Sequence, residues 1–287
     1  MDEIFENIAK KRDQMSKTQR KIADYIISNQ SHVPFLNITT LAKASGTSES
    51  SIVRFCTFLG YQGFPEFKNA LQNSIRHKLS IRERLQLSET AYNNNNHSFL
   101  TEVFNNDINS IQTTLNNLDM DYFEEILRIL LKAPKIIIVA YRSVFSIGYF
   151  LEYYLQMILG NTVMLSNVSQ ITEDEILADL DSDTVVLGIT FHRYTKKTIG
   201  IMEYAYNRGC TTIAITDTLQ SPVIPFSKYN LLAETRLPSM TETFAGPFSI
   251  VNAIIIYLVR ERRTELNRRL EHLEKPWSDF DVFDEKC

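Results

Sequence analysis

The chain has 287 residues, of which 44% are hydrophobic and 22% charged, and its formal net charge is −4. This ordinary balance excludes an intrinsically disordered chain and a protein with a strong overall basic charge, and the length is sufficient for two domains. The three cysteines have no metal-ligand spacing and the amino-terminal segment is polar, which together predict a cytoplasmic protein. No apolar run is long enough to cross a membrane, so no membrane segment is predicted.

Charge is distributed unevenly along the chain. Residues 1–90 contain 13 basic and 9 acidic residues, whereas the remainder contains 17 and 25. A basic first part ahead of an acidic second part suits a small DNA-binding domain attached to a second domain, although so mild an asymmetry also arises by chance.

The first part of the chain is predicted to be helical. Apolar side chains recur at helical spacing in residues 2–13, and Ser16 can cap a second helix over residues 17–29. After a loop around Pro34, two short helices are predicted within residues 38–59, and Pro65 can begin a further helix.

Residues 38–59 have the spacing of a DNA-binding helix-turn-helix. Ala42 is small where the two helices would cross, Gly46 follows four residues later in the turn, and Ile52 lies six residues after that. Ser48 can cap the second helix. The apolar positions expected in the pair are Leu41, Ala42, Ile52, Val53 and Phe55.

The second of these helices is the predicted recognition helix, because it would present polar side chains to solvent. Cys56 is expected on its buried side. The side chains predicted to contact DNA are Lys17, Thr47, Ser48, Glu49, Ser51 and Arg54.

A change of composition follows. Residues 87–98 contain four consecutive asparagines and no sustained apolar pattern, which predicts a domain linker. We therefore expect a helix-turn-helix domain at residues 1–80, a linker at 81–105 and a second domain at 106–287. That domain is expected to begin with a helical stretch over residues 99–118 and with a second helix that Asp121 caps.

From Pro134 the apolar residues form short continuous runs, which are typical of strands buried on both faces. Such runs occupy residues 135–140, 162–165, 184–190, 211–216 and 229–232, and helical segments separate most of them. The alternation predicts an α/β domain with a doubly wound, mainly parallel five-stranded sheet. Ligands of such sheets bind beyond the carboxyl ends of the strands.

Polar side chains cluster after the first and the third predicted strands. Hydroxyl groups, helix-start amides and guanidinium groups at such places can form an anion site. The candidate effector-binding residues are Arg142, Ser143, Ser146, Thr190, His192, Arg193 and Thr195.

Residues 16–70 resemble the amino-terminal domain of the RpiR/MurR family of bacterial transcription regulators. The segments that carry the resemblance are KIADYI, ITTLAKASGTSESSIVRF and LGYQGFPEFK. The resemblance implies that a sugar-sensing domain of the SIS type follows, and the order of elements after residue 134 looks like such a domain.

The strand ends depart from the pattern of SIS domains. In that family a Gly-x-Gly-x-Ser turn ends the first strand, but Ala140, Tyr141 and Arg142 stand where the glycines would be, and either Ser143 or Ser146 is left as the family's serine. A Ser-x-Ser-Gly-x-Thr loop ends the family's third strand and cradles phosphate. Here Thr190 and His192 replace the two serines, Arg193 replaces the glycine, and Thr195 is unchanged.

No phosphate loop, zinc spacing or nucleophile elbow is present in the sequence, so no cofactor and no enzymatic activity are predicted. His192 would be the acid–base group of an isomerase, but no paired carboxylate is near it in sequence. Residues 173–175 are expected to be a charge cluster at a helix start. The arginines within residues 260–269 are expected on the solvated face of the last helix.

The sequence thus predicts a cytoplasmic transcription regulator that binds operator DNA as a homodimer or homotetramer and is controlled by a small anionic effector of the sugar-phosphate class. Two alternatives stay open, a SIS-type sugar-phosphate isomerase and an effector-independent dimeric regulator with a degenerate pocket. The role of Arg142 and Arg193 also stays open, because these side chains either bind the effector or pair with acidic groups of a subunit interface.

Overall fold

The computed structural model describes residues 3–75, 96–235 and 242–282. The chain divides into two compact units, Met1–Asn106 with Arg236–Thr243, and Asp107–Thr235 with Phe244–Cys287. Residues 81–95 of the predicted linker lie outside the described residues, whereas residues 96–105 are helical. The predicted domain limits therefore stay a prediction.

The first unit is built from short helices. They are α1 (Glu3–Lys10), α2 (Lys17–Ser28), α3 (Ile38–Ala44), α4 (Glu49–Leu59), α5 (Phe64–Ile75) and the first part of α6 (Asn96–Asn117). Ser16 caps α2 in a capping box with Gln19, as its position before the helix predicted. The side chains at the centre of the core are Ile8, Ile22, Ile26, Leu41, Ile52, Phe55 and Phe67.

The second unit alternates strands and helices. Its elements after α6 are α7 (Met120–Lys132), β1 (Lys135–Val139), α8 (Phe145–Ile158), β2 (Thr162–Met164), α9 (Gln170–Ala178), β3 (Thr184–Ile189), α10 (Lys196–Asn207), β4 (Thr211–Thr216), β5 (Tyr229–Leu232), α11 (Ala245–Glu261) and α12 (Arg263–Asp279). The strand order is β2-β1-β3-β4-β5, and every neighbouring pair is parallel. The predicted doubly wound, five-stranded sheet is confirmed.

Both faces of the sheet are covered, which explains the continuous apolar runs of β1 and β3. Alternate residues of β1, such as Ile136 and Ile138, pack with α7, α8 and α11 on one face. Ile137 and Val139 pack with α10 on the other face. Gly148 permits the close approach of α8, because a Cβ atom there would lie 2.6 Å from the Cβ of Ala140.

Three local predictions are wrong. Asp119, not Asp121, caps α7, because its carboxylate accepts from the amide of Tyr122. A helix start was predicted at residues 173–175, but α9 begins three residues earlier, at Gln170, because Ser169 caps it. Val53 is exposed rather than part of the apolar contact between α3 and α4. Among the described residues, no helix has the length and apolar character that a membrane span requires.

Candidate functional site

The turn between α3 and α4 has the geometry that the sequence predicted. Gly46 has a φ of 62°, a left-handed conformation that side-chain-bearing residues rarely adopt. The amide of Thr47 donates to the carbonyl of Ala42 at 2.8 Å, and the Thr47 hydroxyl lies 2.8 Å from that of Ser45. Thr47 is therefore part of the turn itself.

A hydroxyl network fixes the start of α4. Ser48 Oγ accepts from the amide of Ser51 at 3.3 Å and lies 3.0 Å and 2.9 Å from the hydroxyls of Ser50 and Ser51. In α3, the Thr39 hydroxyl donates to Glu49 Oε1 at 2.6 Å. The predicted DNA-contact residues Ser48, Glu49 and Ser51 thus also hold the helix-turn-helix together.

One side of α4 faces solvent, and we call it the outer face. It comprises the exposed residues Glu49, Ser50, Val53, Arg54 and Thr57. The Arg54 side chain bends along the helix so that Nε donates to the carbonyl of Ser50 at 3.3 Å. Lys17 is the first residue of α2 and is exposed.

In the second unit, two arginines, in the loops after β1 and β3, have a left-handed backbone. Arg142 has a φ of 67° and Arg193 a φ of 61°. An L-residue with a side chain is disfavoured there by about 1–2 kcal/mol. The loops after β1 and β3 therefore keep a backbone conformation suited to glycine while they carry two exposed arginines.

The conformation of Arg142 bears on the unsettled alignment of the first loop. If Arg142 takes the place of the second glycine of Gly-x-Gly-x-Ser, then Val144 takes the place of the serine. Val144 is buried, whereas Ser143 and Ser146 are exposed and the Ser146 hydroxyl donates to the carbonyl of Ser143 at 3.1 Å. This alignment removes a hydroxyl from the expected phosphate cradle.

The loop after β3 is partly closed by contacts within the loop and with the segment that follows β4. The buried Thr190 hydroxyl accepts from the amide of Thr195, the N-cap residue of α10, at 3.4 Å. The His192 ring lies edge-on to Tyr194, with ring centroids 6.1 Å apart, and the Tyr194 hydroxyl donates to Asp217 Oδ1 at 2.9 Å. His192 is half-buried within this arrangement.

Three further residues meet at the same edge of the sheet. Lys197 Nζ lies 2.8 Å from Glu173 Oε1 and 4.7 Å from the ring centroid of Tyr141, whose hydroxyl donates to Glu173 Oε2 at 3.0 Å. Tyr141 follows β1, Glu173 lies in the helix after β2, and Lys197 is the second residue of the helix after β3. The cluster therefore joins the segments that follow three neighbouring strands.

Glu173 lies in the first turn of its helix, as predicted, but its side chain is only 6% exposed and is paired with Lys197 rather than solvated. The hydrogen bond with Glu173 raises the pKa of Lys197. Burial raises the pKa of Tyr141, and the hydrogen bond with Glu173 adds to this. Because acid and base already neutralise each other, the cluster suits binding and positioning better than proton abstraction.

The arginines within residues 260–269 were all predicted to lie on a solvated face, but two of them make structural contacts. Arg262 donates to the carbonyl of Leu131 at 3.1 Å, and Arg269 donates to that of Gln156 at 3.0 Å. These carbonyls belong to the last turns of α7 and α8, where cations are favourable. A cavity that includes both arginines lies beside these helix ends, and these two side chains already serve this structural role.

Metal binding has no support in the described ranges. Within residues 3–75, 96–235 and 242–282, no group of three or more His, Cys, Asp or Glu side chains is arranged to hold a metal ion.

The chain matches two family models in order. Residues 2–78 match the helix-turn-helix domain of the rpiR family, and residues 129–257 match the SIS domain. An uncharacterized HTH-type transcriptional regulator of Haemophilus influenzae is 27% identical over 231 residues, which cover 80% of this chain and 79% of that protein. One from Thermotoga maritima is 26% identical over 279 residues, which cover 95% of this chain and 96% of that protein.

Two solved structures have a similar fold. The sugar isomerase domain of an RpiR transcription factor from Sphaerobacter thermophilus has a TM-score of 0.58 at 24% identity and covers 61% of this chain and 97% of that chain. The Vibrio vulnificus NanR protein, complexed with ManNAc-6P, has a TM-score of 0.54 at 21% identity and covers 96% of this chain and 98% of that chain. At these identities the similarity establishes the fold alone.

Proposed function

Because this chain is a transcriptional regulator of the helix-turn-helix type, with an rpiR-family helix-turn-helix domain and a SIS domain, we propose that it binds operator DNA through α3 and α4 and is controlled by a small anionic effector. The effector binds at the carboxyl edge of the sheet, and it is a phosphosugar or a related sugar metabolite.

DNA binding is supported by the outer face of α4. The turn at Gly46 and the cap at Ser48 fix α4 against α3, so that Arg54 lies on the exposed side of an ordered helix. Such a helix enters the major groove, where an arginine can bond to two acceptors of one guanine. Lys17, at the exposed start of α2, is suited to a backbone phosphate.

The observation that carries the effector site is the left-handed backbone at Arg142 and Arg193. A side chain is retained at two positions where glycine would be more stable, and such strained residues concentrate at ligand sites. Guanidinium groups bind phosphate or carboxylate through paired hydrogen bonds. In this proposal they compensate for the serine hydroxyl that His192 replaces and, if Arg142 takes the place of the second glycine, for the one that Val144 replaces.

The phosphosugar class has a second support. The Vibrio vulnificus NanR protein, which spans nearly the whole of this chain in the structural comparison, is complexed with ManNAc-6P. The hydroxyls of Thr190 and Thr195 and the Tyr141–Glu173–Lys197 cluster supply hydrogen-bonding partners suited to an anion with hydroxyl groups attached.

A homodimer or homotetramer fits the exposed apolar side chains of α6. They recur at the spacing of a helix that packs against another helix. These residues are Leu100, Phe104, Ile108, Ile111 and Leu115. Two subunits are also needed to place two recognition helices on the two halves of an operator.

The alternative of a sugar-phosphate isomerase rests on the SIS domain, which also occurs in isomerases. The pairing of Glu173 with Lys197 speaks against it, because that carboxylate is already engaged as the partner of a cation. Measurement of phosphosugar turnover by the full chain separates the two functions, since a regulator releases its ligand unchanged.

The test uses the full-length protein in two steps. A duplex is first selected from a randomised library, and its affinity is compared with that of a scrambled duplex. The protein is then screened by thermal shift against phosphosugars and the matching unphosphorylated sugars. We expect one specific duplex, and a phosphosugar that raises the melting temperature and changes the affinity for that duplex. Failure to select any duplex contradicts DNA recognition, and equal effects of sugars with and without phosphate contradict the anion site.

A further inference from the structure

We propose that Val53, with the methyl group of Thr57, recognises the 5-methyl group of a thymine in the operator, beside the base that Arg54 contacts. This inference rests on the proposed DNA binding and names the base that the outer face of α4 selects.

The first observation is the position of Val53. Its side chain is 40% exposed, whereas its neighbours Ile52, Phe55 and Cys56 are fully buried. The hydrophobic core of the first unit is therefore formed without Val53. A branched apolar side chain is left at the middle of the helix face that carries Arg54.

The second observation is that hydroxyl groups on α4 already have hydrogen-bond partners within the helix-turn-helix. Those of Ser50 and Ser51 lie within hydrogen-bond distance of Ser48 Oγ. The Thr57 hydroxyl donates to the carbonyl of Val53 at 3.1 Å. Because this bond holds the hydroxyl against the helix backbone, the methyl group is the part of Thr57 left for a ligand.

Val53 and Thr57 lie one helical turn apart and thus on the same side of α4. Together their methyl groups form a short apolar strip beside Arg54. In the major groove the 5-methyl group of thymine is the apolar feature of the base edges, whereas arginine prefers the two acceptors of guanine. The outer face therefore predicts a thymine within one or two base pairs of a guanine in each half-site.

The experiment removes methyl groups from both partners. The probe is the duplex that the full-length protein selects from a randomised library, and each thymine in turn is replaced by deoxyuridine, which lacks only the 5-methyl group. We expect one replacement per half-site to weaken binding about fourfold, the effect of one buried methyl group. In the Val53→Ala protein the same replacement should have a much smaller effect, since only the methyl group of Thr57 is left to contact the thymine.

Thr57→Ser and Val53→Thr are the matched variants. Thr57→Ser removes a methyl group and keeps the hydroxyl, so it should reduce the sensitivity to deoxyuridine. Val53→Thr keeps one methyl group and should retain part of that sensitivity. Circular dichroism checks that each variant is folded, as expected for exposed positions.

The outcomes separate this inference from DNA binding itself. If no duplex is selected, the proposed function fails and this inference fails with it. If a duplex is selected but no thymine responds to deoxyuridine, or Val53→Ala leaves the response unchanged, recognition of thymine by Val53 is overturned while DNA binding stands.

Discussion

The hydroxyl of Thr39 in α3 donates a 2.6 Å hydrogen bond to Glu49 Oε1 at the first residue of α4. The bond joins the two helices of the helix-turn-helix on their solvent side, opposite their apolar contact. It also fixes a carboxylate at the amino terminus of α4, where negative charge is favourable. Glu49 therefore positions the recognition helix, even though a carboxylate is repelled by DNA phosphates.

Thr39→Val tests this role of Glu49. The change removes the donor and keeps the shape of the side chain, so we expect a loss of about 1 kcal/mol in the free energy of unfolding. Glu49→Ala, which removes the acceptor, and the double variant complete a mutant cycle, measured by urea unfolding. Strictly additive effects of the two single changes would show that the bond contributes nothing to stability.

Arg54→Ala should weaken binding to the selected duplex by about 1–3 kcal/mol, because a paired contact to a base edge is lost. Arg54→Lys is the matched control. Lysine keeps the charge but not the paired donors, so a base contact is largely lost and a phosphate contact largely kept. An affinity of the folded Arg54→Ala protein equal to that of the unchanged protein would remove Arg54 from the interface.

Arg193→Ala and Arg193→Gly separate charge from backbone strain. Both remove the guanidinium, so both should weaken the thermal shift that the effector causes. Glycine also relieves the left-handed strain, so the free energy of unfolding should be higher for Arg193→Gly than for Arg193→Ala by about 1 kcal/mol. The alternative role of Arg193 is an ion pair at a subunit interface, and sedimentation of both variants tests it. A variant that dissociates into smaller species while its affinity for the effector is unchanged would assign Arg193 to that interface.

Cys56 predicts a dependence of stability on alkaline pH. Burial raises the pKa of its thiol from the ordinary value of 9.0 to about 12. Between these two values the unfolded chain loses the proton while the folded chain keeps it, so stability present below pH 9 decreases as the pH rises. The expected loss is about 1.4 kcal/mol for each pH unit above 9.

Cys56→Ala is the control for that prediction, because it lacks the titrating group. Urea unfolding of both reduced proteins at several pH values between 8 and 10.5 gives the difference in stability. That difference should narrow with rising pH as the unchanged protein loses stability. A constant difference would mean that the thiol ionises equally in both states.

The secondary structure was predictable where local sequence determines it. The β-branched runs predicted the strands of the sheet, Ser16 predicted the start of α2, and Gly46 predicted the left-handed turn. Each of these depends on a residue and its near neighbours. Val53 was misplaced because apolar identity alone does not fix direction, and successive helical residues lie about 100° apart around the axis.

The candidate site was predictable only in part. Its place at the carboxyl ends of β1 and β3 followed from the alternation of strands and helices. The pairing of Glu173 with Lys197 could not be predicted from the sequence, because the two residues are 24 positions apart and meet only once β2, β1 and β3 lie side by side. The conformation of Arg193 was equally hidden, since arginine has no preference of its own for a left-handed backbone.

The burial of Glu173 has a consequence for how the two proposed functions, operator binding and effector binding, respond to ionic strength. Mobile ions screen charges through water, so salt barely weakens a 2.8 Å ion pair whose carboxylate is shielded from solvent. Operator binding releases counterions from DNA and weakens steeply as salt rises. If the chain binds an operator as proposed, a rise in salt would lower occupancy of that operator, while the geometry at the carboxyl edge of the sheet stays constant.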